Sequence, residues 1–306
     1  MRPLPKPAVS AAVGAGAAVT GYYGVLIGES LLARRAIGMT DDRPPSADGI
    51  YGDDLPGTPI RCILLGDSAL VGYGMDTADA TPPALIGVGL AHVLDTPVDI
   101  HSMAVVGAQT EDLREQVNRG LVYKPDIAVI VIGTNDVTHN LVGPYSARLL
   151  AASVRRLVAA GCEVVVGTCP DLGTVRPIPQ PLRWVARRRS RALARKQMMA
   201  VVAAGGRAVS LGDLLGPVFD EKYDLMFGAD RFHPSATGYA NMVSVLVPSM
   251  AAAMRERAVE FSSVTRLPRE VMSLDEAADR AGRQVGTEVS QQGRWATALR
   301  RNRRAS

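Results

Sequence analysis

The chain has 306 residues, of which 47% are hydrophobic and 21% are charged, and its formal net charge is +4. This balance excludes an intrinsically disordered chain and suits a packed α/β domain with extensions. Three cysteines are too few for a disulfide framework, which excludes the class of small proteins held together by such bridges.

The N-terminal segment, residues 1–28, has the pattern of a membrane anchor or a signal. Arg2 and Lys6 precede an uncharged stretch over 8–28, which as a helix would span roughly 30 Å, the thickness of a hydrocarbon core. The small residues at 15–17 suit signal-peptide cleavage, but apolar residues continue beyond them. We therefore favour an uncleaved anchor over a cleaved signal, with an amphipathic or buried helix as the third alternative. The protein is expected to be membrane-anchored or secreted, on the extracytoplasmic side of the cell envelope.

Residues 29–59 are predicted to form a linker. Prolines and clustered acidic residues over 40–59 argue against regular structure there. From residue 60 the pattern changes, and we predict one domain over 60–258. A polar, basic tail over 259–306 follows it and is expected to be partly disordered surface.

Strand and helix patterns alternate across this domain. The predicted strands are 61–66, 98–103, 126–133, 163–168 and 207–211. The predicted helices are 83–94, 111–120, 144–160, 182–204 and 236–257. The run 126–133 is apolar on both faces, as a central parallel strand should be.

This alternation predicts an α/β fold. Its form is a three-layer, doubly wound (flavodoxin-like) five-stranded parallel sheet with helices on both faces. In such sheets ligands bind beyond the carboxyl ends of the strands, so chemically important residues should follow the strands directly.

The cysteines are predicted to be buried, small hydrophobic residues. Cys162 and Cys169 flank one predicted strand, and an extended strand would hold them roughly 20 Å apart, too far to bridge. A bridge from Cys62 to one of the others stays open.

A candidate nucleophile follows the first strand. Ser68 lies in the sequence Gly66-Asp67-Ser68-Ala69-Leu70, where the glycine permits a sharp turn and close approach of other backbone. Because Leu70 stands where the nucleophile elbow of α/β-hydrolases has glycine, that class is disfavoured. Taken alone, the serine could equally cap the following turn.

A serine hydroxyl needs a base to accept its proton, and His233 is the best candidate. It lies in the sequence from Asp230 to Ser235, just before the last predicted helix. A tight turn with this spacing can bring the Asp230 carboxylate to the imidazole Nδ1, which leaves Nε2 to accept the serine proton. Ordinary structural roles are expected for His92 and His101. His139 follows the third strand and could line the mouth of the site, but it has no carboxylate pattern beyond Asp136.

Acyl transfer also needs donors for the oxyanion. Gly107, after the second strand, could offer a backbone N–H, and Asn135, after the third strand, could offer its side-chain amide. Each could otherwise be an ordinary turn residue.

Together these blocks resemble the SGNH hydrolases, also called GDSL-like lipases and esterases. Gly-Asp-Ser, an isolated Gly, Gly-x-Asn-Asp and Asp-x-x-His-Pro occur in family order over about 60–257. Two positions depart from the family pattern, Ala69 in place of leucine and Ser102 in place of the common asparagine, and neither removes a catalytic group. The chain also resembles envelope-attached actinobacterial esterases that have a similar N-terminal apolar segment.

The resemblance implies a catalytic triad of Ser68, His233 and Asp230. It also implies an oxyanion hole formed by the Ser68 N–H, Gly107 and Asn135. The implied activity is hydrolysis of carboxylic esters through an acyl-enzyme, with short-chain acyl, O-acetyl or lipid esters as substrates and with neither a metal nor an organic cofactor required. An acyltransferase or deacetylase acting on envelope carbohydrate would use the same residues. An inactive binding module on the same scaffold is the alternative from a different class.

A basic stretch follows the fourth strand, and no acidic residue occurs between Asp171 and Asp213. This stretch could dock on an anionic membrane surface, with Trp184 as an interfacial anchor. Alternatively, it could be an ordinary solvated helix face. The residues predicted for docking are Arg183, Arg187, Arg188, Arg189 and Arg191. Nucleic-acid binding is not expected, because the stretch has no recognition motif and little aromatic interleaving.

Overall fold

The computed structural model describes residues 44–139, 144–260 and 288–290, with side chains up to residue 257. The predicted N-terminal segment, the start of the linker and nearly all of the C-terminal tail lie outside the described residues, so those assignments stay predictions. Within the described ranges, no helix combines the length and the apolar character needed to cross a membrane.

A seven-stranded mixed sheet forms the centre of the molecule, in the order β1-β3-β2-β4-β5-β6-β7. Its strands are β1 (Gly49–Tyr51), β2 (Ile60–Gly66), β3 (Val98–Ser102), β4 (Ile127–Val131), β5 (Glu163–Gly167), β6 (Arg207–Val209) and β7 (Glu288–Ser290). The pairs from β3 through β6 are parallel, and the two outermost strands are antiparallel. The five parallel strands are the five predicted ones, and their order is the flavodoxin-like one.

Helices cover both faces of the sheet. They are α1 (Ser68–Val71), α2 (Pro82–Leu94), α3 (Leu113–Gly120), α4 (Thr134–Thr138), α5 (Pro144–Ala159), α6 (Leu182–Ala203), α7 (Leu211–Glu221), α8 (Tyr223–Met226) and α9 (Ala236–Glu260). The five predicted helices correspond to α2, α3, α5, α6 and α9. Helix α7 was not predicted because Gly212, Gly216 and Pro217 interrupt its helical pattern.

Two hydrophobic cores lie on the two faces of the sheet. Alternate residues of β4 point into each: Val129 belongs to the core under α2, α7 and α9, whereas Ile130 belongs to the core under α3, α5 and α6. This two-sided burial is what the apolar run at β4 predicted. The three cysteines are all buried and free, so no bridge forms from Cys62.

The linker prediction is wrong at one point, because β1 pairs antiparallel with β3 inside the segment 29–59. Tyr51 packs this strand against the domain through two contacts. Its ring packs over Gly87 of α2, where a built Cβ would lie only 2.3 Å from it. Its hydroxyl donates to the Ala47 carbonyl at 2.7 Å. At the opposite edge, β7 adds a strand within the predicted 259–306 tail.

Candidate active site

A sharp turn at the end of β2 presents Ser68. Gly66 has φ of 145°, and a Cβ built on it would lie 2.0 Å from the Val131 carbonyl oxygen. Only glycine therefore lets the end of β2 pass this close to β4. The next residue, Asp67, caps α1 by accepting a hydrogen bond from the Ala69 N–H at 3.0 Å, and Ser68 begins that helix.

A second turn carries the predicted base. It closes through a bridge between Phe227 and Pro234, and the Gly228 N–H donates to the His233 carbonyl at 2.9 Å. Within it, Asp230 Oδ1 accepts the backbone N–H groups of Phe232, at 3.0 Å, and of His233, at 2.9 Å. The Asp230 carboxylate is thus fixed by the backbone of its own turn.

The two turns meet at the carboxyl end of the sheet. His233 Nε2 lies 3.1 Å from Ser68 Oγ, although 165 positions separate the two residues in the sequence. On the other side of the ring, His233 Nδ1 lies 2.5 Å from Asp230 Oδ2. Because Nδ1 faces a carboxylate, that nitrogen holds the ring proton and Nε2 is left to accept one.

The two aspartates beside these residues have opposite pKa shifts. Burial raises the pKa of Asp230, but the hydrogen bonds from the His233 side chain and the turn backbone outweigh it, and the pKa is lowered overall. Burial, together with the nearby Asp136 charge, raises the pKa of Asp67 to about 7. Among the described residues, Asp67 Oδ2 has no hydrogen-bond partner.

The two predicted oxyanion segments are in contact with each other. The Asn135 Nδ2 group donates to the Ala108 carbonyl at 2.9 Å, next to Gly107. Gly107 has φ of 82° and is exposed, in a conformation that favours glycine. Since an amide nitrogen carries two hydrogens, this bond leaves the second one of Asn135 for another acceptor.

A mostly apolar cleft opens beside Ser68 and His233, with an empty volume of about 730 Å³ including the part open to solvent. Its apolar wall includes Leu172, Val175, Leu215, Phe219, Phe227 and Met242. These side chains also belong to the core between the sheet and α9, so the cleft extends that core to the surface.

Two buried glutamines support the strand ends, and no sequence pattern indicated them. Gln116 of α3 accepts from the Gly66 N–H at 2.7 Å and donates to the Gly66 carbonyl at 2.9 Å. Gln197 of α6 accepts from the Cys169 N–H at 2.7 Å and donates to the Ile132 carbonyl at 2.8 Å. Their partners are distant in sequence, which is why local patterns could not identify them.

Aromatic rings enclose His233 on two sides, and sequence reasoning missed these as well. The Tyr73 ring lies 4.4 Å from the imidazole and the Phe232 ring 4.9 Å, measured between ring centroids. Both would hold the ring in place. Among the described residues, no group of three or more His, Cys, Asp and Glu side chains is arranged to hold a metal ion.

The basic stretch is partly turned inward. Arg187 and Arg191 form ion pairs with the buried Asp171, and Arg188 lies over the exposed Trp184 ring at 4.9 Å. Two of the five arginines predicted for membrane docking therefore have an internal partner. Docking on an anionic surface stays a prediction.

Comparison with known proteins points to one family. A sequence model of the GDSL-like lipase/acylhydrolase family matches residues 64–240. The GDSL-like esterase Rv1075c of Mycobacterium tuberculosis is 43% identical over 256 residues, which cover 79% of this chain and 81% of the relative.

Solved structures share the fold. The crystal structure of a lipase/acylhydrolase from Enterococcus faecalis is 23% identical, with a TM-score of 0.52 over 63% of this chain and 96% of that one. The crystal structure of TesA is 18% identical, with a TM-score of 0.52 over 63% of this chain and 99% of that one. At these identities the likeness concerns the architecture alone.

Proposed function

Because the chain belongs to the GDSL-like lipase/acylhydrolase (SGNH hydrolase) family and is a serine ester hydrolase, we propose that Ser68, His233 and Asp230 are its catalytic triad. One observation carries the proposal, namely the continuous contact from Ser68 Oγ to His233 Nε2 at 3.1 Å and from His233 Nδ1 to Asp230 Oδ2 at 2.5 Å. This is the order of contacts that nucleophilic catalysis by serine requires.

The first half of the reaction forms an acyl-enzyme. His233 Nε2 takes the proton of Ser68 Oγ as the oxygen attacks the ester carbonyl carbon, giving a tetrahedral intermediate. Collapse of this intermediate breaks the bond to the alcohol oxygen, which leaves with the proton from Nε2. Asp230 keeps the imidazole in the required tautomer and stabilises its charged form.

Water completes the cycle. His233 Nε2 takes a proton from the water as it attacks the acyl carbon, and the second tetrahedral intermediate releases the carboxylic acid while the proton returns to Ser68 Oγ. An alcohol in place of water would give a new ester, which is how the same residues would serve an acyltransferase.

The oxyanion of both intermediates is assigned to three donors: the backbone N–H groups of Ser68 and Gly107 and the side-chain amide of Asn135. Two features support this assignment. The bond from Asn135 to the Ala108 carbonyl holds the amide against the Gly107 loop and uses only one of its hydrogens. Donors fixed before the reaction need no rearrangement as charge develops.

The cleft supports a substrate class. Its mostly apolar wall beside Ser68 suits an aliphatic acyl chain, and burying each methylene contributes about 0.8 kcal/mol. We therefore assign the acyl part of a carboxylic ester to this cleft.

A fluorophosphonate probe and a nitrophenyl butyrate assay test the triad together. The wild-type protein should be labelled and active, and Ser68→Ala should lose both properties while keeping its melting temperature. Ser244→Ala is the matched control, since the Ser244 hydroxyl is exposed on α9 and donates to the Asn241 carbonyl. Labelling of Ser68→Ala, or hydrolysis at the wild-type rate, would contradict the proposal. Product analysis with added alcohol separates hydrolysis from acyl transfer.

A further inference from the structure

Asp171 separates two cavities. It lines the apolar cleft beside Ser68 and also a second cavity, of about 570 Å³ including open space, whose lining includes Arg191, Arg195, Ser210 and Asp213. Of the described residues, Asp171 is the only one that lines both.

The partition is one residue thick. Pro170 and Leu211 line the apolar cleft, whereas their sequence neighbours Cys169 and Gly212 line the second cavity. A Cβ built on Gly212 would lie 3.4 Å from the Asp171 backbone nitrogen, so the two segments pack directly against each other. Asp171 is therefore the residue at which the two spaces come closest together.

Two arginines of α6 fix the Asp171 side chain, which is only 1% exposed. Arg187 Nε lies 3.2 Å and Arg191 Nη2 lies 2.8 Å from Asp171 Oδ2. The other carboxylate oxygen, Oδ1, accepts from the Gly173 N–H at 2.8 Å. Arg191 Nε also donates to Oδ2, at 3.0 Å. Four nitrogen atoms from three residues thus hold this carboxylate.

The same contacts hold the wall of the cleft. The Arg187 side chain lies over Gly173, where a built Cβ would approach its Nε to 2.1 Å. Leu172 and Thr174, on either side of Gly173, line the cleft. The Leu172 N–H donates to Ser190 Oγ of α6 at 3.2 Å, so this wall is fastened to the helix.

We propose that Asp171, held by Arg187 and Arg191, sets the depth of the acyl pocket and thereby the longest acyl chain that the enzyme accepts. The inference rests on the proposed function, in which the acyl chain enters the apolar cleft. A chain that grows past the apolar wall meets the buried Asp171 carboxylate, which is paired with two partly exposed arginines. An apolar group cannot replace the hydrogen bonds of that carboxylate. Longer chains are therefore excluded by charge as well as by space.

The test compares the wild type with two variants over saturated nitrophenyl esters from acetate to palmitate. Asp171→Ala removes the partition, and Asp171→Asn keeps its shape. The measured quantity is a ratio: kcat/KM for the first ester beyond the wild-type limit divided by kcat/KM for butyrate. In Asp171→Ala this ratio should rise roughly tenfold, as expected from burying about two more methylenes. Asp171→Asn should raise the ratio less, by about threefold, because it removes the charge but keeps the shape of the partition. An unchanged or lower ratio in Asp171→Ala overturns the proposal.

Gly216→Ala tests the opposite direction and remains informative if Asp171→Ala fails to fold. A Cβ on Gly216, which lines the cleft, would lie 3.8 Å from Asp171 Cβ and 4.0 Å from Oδ2, an ordinary contact. The added methyl group should move the limit to shorter chains, and a limit that stays in place or lengthens contradicts the inference. Arg191→Gln should raise the ratio about threefold, whereas Arg188→Gln, with the same charge change on the same helix, should not.

A binding measurement separates this inference from the catalytic proposal. Saturated carboxylates of increasing length are added to Ser68→Ala with and without Asp171→Ala, and the melting temperature is followed without any turnover. A length limit that shifts with Asp171→Ala supports the pocket even if the wild type hydrolyses no ester. Ser68-dependent hydrolysis with no shift in the limit overturns the pocket inference alone.

Discussion

The turn that carries Asp230 and the turn that carries Asp67 place two carboxylates beside the same reacting groups in opposite environments. Asp230 receives hydrogen bonds from the His233 ring and from two backbone N–H groups, and its pKa is lowered. Asp67 is buried with one oxygen lacking a partner among the described residues, and its pKa is raised to about 7.

The difference lies in burial as well as in the number of donors. Asp67 is only 1% exposed, whereas the Asp230 side chain is 15% exposed and receives more hydrogen bonds. Donors that favour the charged form outweigh desolvation at Asp230 and fail to do so at Asp67. Asp230 is therefore suited to stabilise a charged imidazole. Asp67 is suited to cap α1, a task that a neutral carboxyl oxygen also performs.

The largest expected effect separates the catalytic role of Asp230 from the structural role of Asp67. Asp230→Asn should lower kcat roughly 10³–10⁴-fold, because an amide donor facing Nδ1 favours the wrong imidazole tautomer. Asp67→Asn should lower kcat by less than about tenfold, since its oxygen still accepts from the Ala69 N–H. Steady-state kinetics with nitrophenyl butyrate measure both. Equal losses in the two variants would remove the distinction.

Asn135 lies outside both turns, and its substitution should lower kcat by an amount between those of the two aspartate variants. Asn135→Ala should lower kcat roughly 10²–10³-fold with little change in KM, the loss expected for one oxyanion donor. The same assay measures it, with the exposed Asn118→Ala of α3 as the control. Full activity in Asn135→Ala would exclude this amide from the mechanism.

The pH dependence of stability is the next test of the contrast between Asp67 and Asp230. Because the pKa of Asp67 is raised in the folded state, the folded protein holds this proton more tightly than the unfolded chain. Stability is then lost as pH rises from about 4 towards 7 and beyond. Asp67→Asn should therefore gain more unfolding free energy at about pH 8.5 than at about pH 5, by about 2 kcal/mol.

Chemical denaturation at the two pH values measures this gain. The exposed Asp76→Asn carries the same charge change on the same connection and serves as the control. A larger gain at the lower pH would mean that Asp67 is stabilised in its charged form, as Asp230 is.

The smallest effect tests what holds the Asp230 turn. The buried Tyr223 hydroxyl donates to the Arg231 carbonyl at 2.8 Å, and Arg231 has φ of 58°, an uncommon conformation for a residue with a side chain. Tyr223→Phe should lower the free energy of unfolding by about 1 kcal/mol while keeping the ring contacts. Urea denaturation compares it with the exposed Tyr145→Phe, and equal values in both would show that this bond contributes nothing.

Sequence reasoning succeeded where the signal was local. The alternation of strand and helix patterns predicted the doubly wound sheet, and the apolar run of β4 predicted a central strand. The residues that follow the strands indicated the edge at which Ser68 meets His233. Sequence reasoning failed where a contact joins distant residues or where glycine and proline obscure a pattern. The strand at Tyr51 depends on Gly87 of α2, and the wall at Asp171 depends on Arg187 and Arg191. These arginines looked like a solvated or membrane-facing surface because their partner precedes them on another element.

The buried glutamines at the strand ends have a consequence for how such an enzyme can change over evolutionary time. Gln116 satisfies both backbone groups of Gly66, and Gln197 joins the residues that leave β4 and β5. Since helix side chains complete this pairing, the rim of the sheet does not depend on the loops that follow it. Loops above the rim can be exchanged or resized while the strand ends under the nucleophile stay fixed. Substrate preference can therefore diverge while the catalytic residues keep their positions.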